Sequence, residues 1–189
     1  MQAVKKQLDV LSINSSSVIA QTFWIVLFAL LTIAGAKIEI PHYPVPYTLQ
    51  TFFVLLSGAF LGKRNGSVSQ LVYLSLGAIG LPVFAGAAAG SAALFGPTAG
   101  YLLSWPIAAA VVGYLVHLKR GYLWTFFSFF IGLLIIFLSG SLFLQFTMFH
   151  NWIQTLLNGF LIFSWWDLLK LAAAAAIYNE FSKRYRTLP

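Results

Sequence analysis

The chain has 189 residues, 60% of them hydrophobic and only 8% charged, against roughly 25% charged in a soluble domain. That inventory cannot cover a water-facing surface of this size, which excludes a soluble globular enzyme, a disordered tail and a nucleic-acid binder, despite the net charge of +7. With no cysteine there is no disulfide, no thiol nucleophile and no Cys metal site.

A bilayer core about 30 Å thick asks for roughly 20 apolar residues per spanning helix. Residues 18–36 form the first such run, without a charge. A secretory signal peptide is the rival reading, with Lys5 and Lys6 ahead of the run and Ala34-Gly35-Ala36 as its cleavage site. The run is longer than an ordinary signal core, and cleavage would leave an odd number of spans. Residues 48–61 and 66–80 give two short spans, joined by a turn over 62–66. Residues 100–116, 122–142 and 163–181 give three more. The sequence thus predicts an all-α, polytopic membrane protein. It is a single domain over 1–189, a six-transmembrane-helix bundle with long outward-facing loops.

The basic residues set the orientation. Lys5, Lys6, Lys63, Arg64, Lys119, Arg120, Lys183, Arg184 and Arg186 are nine of the eleven Lys and Arg. Six spans put all nine on one side, and the positive-inside rule makes that side, with both termini, cytoplasmic. The other side carries Lys37. The predicted location is the cell membrane, multi-pass.

The outward connections break the pattern. Residues 37–47 contain Pro41, Pro44 and Pro46, which forbid a helix and favour extended chain. Residues 81–99 are apolar and glycine-rich, and residues 143–162 are polar but carry no formal charge. Short spans followed by Gly/Pro-rich apolar loops match the broken helices that surround transporter binding sites. The run from Gly86 to Gly90 also fits a GxxxG packing motif. Gly96-Pro97-Thr98 reads as a helix start with Pro97 at the first helical position, its N-terminus favouring an anionic group. In the last span Asp167 and Lys170 lie three apart on one helical face. Charges at membrane depth are costly, so ligand contact is the default reading, with a plain ion pair holding the bundle as its rival. Ala172 to Ala176 read as a close-packing face.

Catalytic material is scarce. The run from Gly58 to Lys63 is one residue short of a P-loop, and Arg64 stands where Ser or Thr is needed. His42, His117 and His150 come from distant segments, and four carboxylates leave almost nothing for paired acid–base work. The sequence predicts no enzyme, no catalytic residue, no metal site and no cofactor.

Three stretches carry a resemblance: residues 44–51, residues 76–86 and residues 96–101, with the run from Asp167 to Lys170 in the last span. They strongly resemble the BioY family, biotin-binding S-components of energy-coupling factor transporters. The resemblance implies a six-helix bundle in the bilayer with biotin near the outer face, capped by loops. It implies as partners a membrane scaffold subunit and two cytoplasmic ATPases. The implied function is substrate binding for vitamin uptake, with biotin taken from outside and delivered inward by the ATP-driven module. The alternatives are a non-transport membrane scaffold, or an S-component for a different vitamin. S-components commonly carry an Ala-x-x-x-Ala docking face in span one; here Ala29 has Ile25 and Ile33 at those spacings. For biotin, Thr48 and Gln50 are expected to offer hydrogen bonds and Tyr73, Phe84 and Trp166 apolar walls. Asp167 would accept from the ureido N–H groups, and Lys170 would donate to the ureido oxygen or the carboxylate. The carboxylate otherwise falls to Gly86, Ser91 or the helix start at Gly96.

Overall fold

The computed structural model describes residues 18–86, 91–161 and 165–184. Helix α1 (Val18–Lys37) leads into a two-residue antiparallel ribbon, β1 (Glu39–Ile40) with β2 (Tyr47–Thr48), in which Glu39 faces Thr48 and Ile40 faces Tyr47. Helix α2 (Gln50–Ala78) follows, then the single turn α3 (Ser91–Phe95), α4 (Ala99–Leu118) and α5 (Tyr122–Leu144). A π-helical stretch, Gln145–Phe149, extends α5. The short α6 (Trp152–Thr155) continues as a second π stretch, Leu156–Phe160, and α7 (Trp165–Arg184) ends the described chain.

Helices suit this composition because each satisfies its own backbone polar groups, which lipid cannot do. In α1, Phe28, Thr32, Gly35 and Ala36 recur at helical spacing and are buried. Phe23, Val26 and Leu30 on the opposite side are exposed, as side chains bathed in lipid should be. Val18–Lys37, Ala99–Leu118 and Tyr122–Phe149 are long and apolar enough to cross a membrane. Trp152–Phe160 and Trp165–Lys183 make a fourth if the two together form one span.

Helix α2 is two helices. Gly62 interrupts it with φ 76 and ψ 179, a conformation open in practice only to glycine. An unbroken helix would hold Gln50 and Tyr73 about 35 Å apart. Instead the Gln50 Nε2 donates to the Tyr73 hydroxyl at 2.5 Å, so the arms 50–61 and 63–78 run antiparallel. Their backbones nearly touch. A Cβ on Gly66 would lie 2.7 Å from Gly58 Cα, one on Gly58 2.2 Å from the Ala109 carbonyl oxygen, and one on Gly113 2.5 Å from Lys63 N. Small residues here let both arms and α4 pack backbone to backbone.

Several expectations need correction. The expected turn over 62–66 is sharper, because only Gly62 leaves helical geometry and Lys63 already starts the second arm. Residues 143–162 are not an open loop. Most are helical, because buried or lipid-facing backbone must bond to itself. Thr155 Oγ1 donates to Gln145 Oε1 at 2.7 Å and the Tyr101 hydroxyl to the Gly159 carbonyl at 2.7 Å, fastening this stretch to the bundle. Pro97 is not the first residue of α4. It sits in a tight turn closed by Ala99 N to the Gly96 carbonyl, and the helix starts at Ala99. Ala29 cannot serve an outer docking face, since it is 1% exposed and packed in the core. Of the alanine run, Ala174 and Ala175 are buried and Ala173 and Ala176 are exposed. Lys5, Lys6, Arg186 and the centre of the Gly86–Gly90 motif lie outside the described residues.

The glycine contact generates a prediction. Gly113→Val should lower the thermal midpoint of the detergent-purified protein by several degrees, as overpacking costs about 1–3 kcal/mol. An unchanged midpoint would contradict direct backbone packing there.

Candidate ligand-binding site

A cavity of about 370 Å³ opens where β1, the proline-rich loop, β2 and residues 84–86 and 93–98 meet α2, α4, α5 and α7. That volume lies in the usual range for ligand sites, roughly 300–1,000 Å³. The proline-rich loop forms one rim. Its ends are fixed by the ribbon and by Leu49 N, which donates to the Gly35 and Ile38 carbonyls, both at 3.1 Å. Tyr101, Trp105, Ile136 and Phe137 form an apolar floor.

The polar side is built around α7. Asp167 and Lys170, 3% and 7% exposed, pair at 2.6 Å. Lys170 Nζ also donates to the Thr48 carbonyl at 2.8 Å and to Thr51 Oγ1 at 3.0 Å. Three partners use all three ammonium donors. Lys170 therefore ties α7 to the start of α2, and Asp167 keeps acceptor capacity on the cavity wall. A second chain of bonds runs behind the wall. Thr48 Oγ1 donates to Gln50 Oε1 at 3.0 Å, Gln50 to Tyr73, and the Tyr73 hydroxyl to the Val83 carbonyl at 3.2 Å.

Of the residues singled out in the sequence, Thr48, Gln50, Phe84, Gly86, Gly96, Asp167 and Lys170 all line this cavity. Tyr73 does not. It is fully buried one layer back, stacked on Trp105 at 5.4 Å between ring centroids and edge-on to Phe84 at 5.5 Å. Trp166 is also off the wall and 38% exposed, because the turn of α7 that brings Asp167 and Lys170 inward carries its neighbour outward. The Ser91 side chain lies outside the described residues. The Gly86 N–H is already engaged, donating to Glu39 Oε2 at 2.7 Å.

Sequence reasoning missed Glu39, Thr51, Tyr101 and Trp105 as wall residues. Glu39 carried a usable signal, being one of only four carboxylates. Tyr101 carried only its place at the end of the 96–101 stretch, and Trp105 carried none, since an aromatic in an apolar helix reads as core.

The far end of the bundle is basic. The Gly62 turn approaches the His117 ring, and Phe60 packs on Tyr178 at 5.3 Å. Lys63 and Arg64 are therefore grouped with Lys119, which lies 5.0 Å over the Trp124 ring, opposite the cavity. Among the described residues no group of three or more His, Asp or Glu is placed to hold a metal ion.

The buried pair generates a prediction. Lys170→Met leaves the Asp167 carboxylate buried without its cation, a change that costs about 3–5 kcal/mol in comparable pairs. The thermal midpoint should fall steeply, and adding Asp167→Asn should restore much of it. A double variant no more stable than Lys170→Met would show that the two charges are not coupled.

A sequence profile of the BioY family matches residues 5–187. The chain is similar to the biotin transporter BioY of Thermotoga maritima, 44% identical over 157 residues that cover 83% of this chain and 92% of the relative. It is similar to the probable biotin transporter BioY of Pyrococcus horikoshii, 41% identical over 153 residues, covering 81% and 90%. Its fold is similar to the crystal structure of the S-component for biotin from an ECF-type ABC transporter. The TM-score is 0.79 at 23% identity, over 87% of this chain and 92% of that one.

Proposed function

Because the chain belongs to the BioY family, we propose that it is the substrate-binding membrane subunit of a biotin uptake system and that its cavity receives biotin. The observation that supports the site most strongly is the buried Asp167–Lys170 pair on the wall of a largely apolar cavity. Biotin carries two ureido N–H donors on an apolar bicycle. Asp167 accepts those donors, while Lys170 pairs with Asp167 and keeps it aimed. Tyr101 and Trp105 pack against the bicycle. The ligand carboxylate goes to the start of α4, where Gly96, Pro97 and Thr98 line the cavity. That 20-residue helix has no side-chain cap at Thr98, and although the Ala99 N–H is bonded to the Gly96 carbonyl, the N–H groups of Gly100 and Tyr101 in the same first turn suit an anion. Phosphoryl chemistry falls to partners, a membrane scaffold subunit and two cytoplasmic ATPases.

The passes number six if each arm of α2 is a short span. The cavity then opens outward, and the basic end, both termini and Asn65 face the cytoplasm. A cysteine at Asn65 in this cysteine-free chain should react with an impermeant thiol reagent from the cytoplasmic side only. Labelling from outside in intact cells would overturn the orientation.

Equilibrium binding of labelled biotin to detergent-purified protein tests the function. Saturable binding is expected, and Asp167→Asn should weaken it by about ten-fold or more, since a charged hydrogen bond contributes roughly 1.5–3 kcal/mol. Unchanged affinity with a lowered thermal midpoint would remove Asp167 from the site. Absence of binding, or binding of another vitamin in place of biotin, would overturn the reading.

A further inference from the structure

Residues 82–86 form a rim of the cavity yet have little backbone bonding of their own. The Val83 N–H donates to the Leu81 carbonyl at 2.8 Å in a tight local turn. Four more of its polar groups are held by side chains from elsewhere. Lys37 Nζ donates to the Pro82 carbonyl at 2.8 Å and the Phe84 carbonyl at 3.0 Å. The Tyr73 hydroxyl donates to the Val83 carbonyl, and Glu39 accepts from the Gly86 N–H. A lysine ending a spanning helix ordinarily extends its ammonium toward water. Lys37 turns back onto the loop instead, and Glu39, two residues on, grips the same segment from the base of the ribbon that carries the proline-rich loop.

These bonds differ in burial. The Tyr73 bond is buried, and Phe84, 2% exposed, occupies the space a side chain at Gly77 would need. That contact fixes the inner side of the segment to α2. The Lys37–Pro82 and Glu39–Gly86 bonds are exposed, so water can replace them at small cost, while the Lys37–Phe84 bond is half-buried. Gly86, with φ +71 and open space around its Cβ position, is a point where the chain can pivot.

We propose that Lys37 and Glu39 form a clasp that joins the two rims of the cavity and sets the rate at which ligand passes between them. Both are positioning residues that act on access through the loop backbone. The proposal rests on the cavity being the biotin site, and it adds the group that opens it.

The test reads opening with and without ligand. Ala93, 4% exposed and on the cavity wall, is replaced by cysteine, and its reaction with a small methanethiosulfonate reagent is timed. Lys37→Met with Glu39→Ala should speed labelling about ten-fold, the rate change that ~1.4 kcal/mol of clasp energy gives. Without the cysteine, Lys37→Met alone, at a residue off the cavity wall, should speed biotin association and dissociation alike and leave Kd nearly constant. Glu39→Gln, which keeps the shape and weakens the bond, should give a smaller acceleration of labelling. Unchanged labelling would overturn the clasp. So would faster dissociation with unchanged association, which would make these residues stabilisers of bound ligand. Labelling needs no ligand, so faster labelling in a chain that binds no biotin keeps the clasp and removes only the biotin reading.

Discussion

Lipid gives apolar helices no reason to seek each other, so close contact between small residues must supply the attraction. Gly58, Gly66 and Gly113 provide it by letting both arms of α2 and helix α4 touch along their backbones. Gly62 provides the reversal that brings the arms together. What lies above follows from that one arrangement. Folding α2 back places Gln50 against Tyr73, and Tyr73 against the segment 82–86. It also turns the start of α2 toward α7, where Thr48 and Thr51 meet Lys170. A bulkier residue at these glycines would separate the helices and remove the floor on which the cavity stands.

Polar groups are few here, and each does structural work at the cavity end. An ammonium inside a membrane bundle is tolerated when all its donors are matched, and Lys170 has three matched partners. It holds Asp167 and locks α7 to the start of α2. That division suits a binder: the cation is fixed in advance, and the carboxylate offers the open acceptor. Glu39 and Lys37 repeat the theme at the rim, where two of their three bonds are exposed and so weaker and exchangeable.

Much of the architecture is legible in the sequence because hydrophobic length and loop charge are strong signals in a membrane chain. The apolar runs match α1, α4 and α5 closely, and the three prolines of residues 41–46 leave that segment non-helical. Asp167 and Lys170 stand out because charge is rare. The failures share a cause. Residues 143–162 look like a loop by polarity, yet the membrane makes unpaired backbone costlier than an awkward π-helical turn. Trp166 adjoins a wall residue in sequence but faces away, because neighbours in a helix diverge by about 100°. Tyr101 and Trp105 line the cavity from helices whose apolar pattern cannot separate floor from core. Glu39 was legible by rarity, but its partner, a glycine N–H 47 residues away, was not.

The central claim is that the cavity between the proline-rich loop and α7 is where biotin is held. A structure determined with biotin at saturating concentration tests it most directly. The account predicts the bicycle over Tyr101 and Trp105, its ureido N–H groups on Asp167, and its carboxylate near the first turn of α4. Biotin bound elsewhere, or this cavity empty while the protein is saturated, would contradict it.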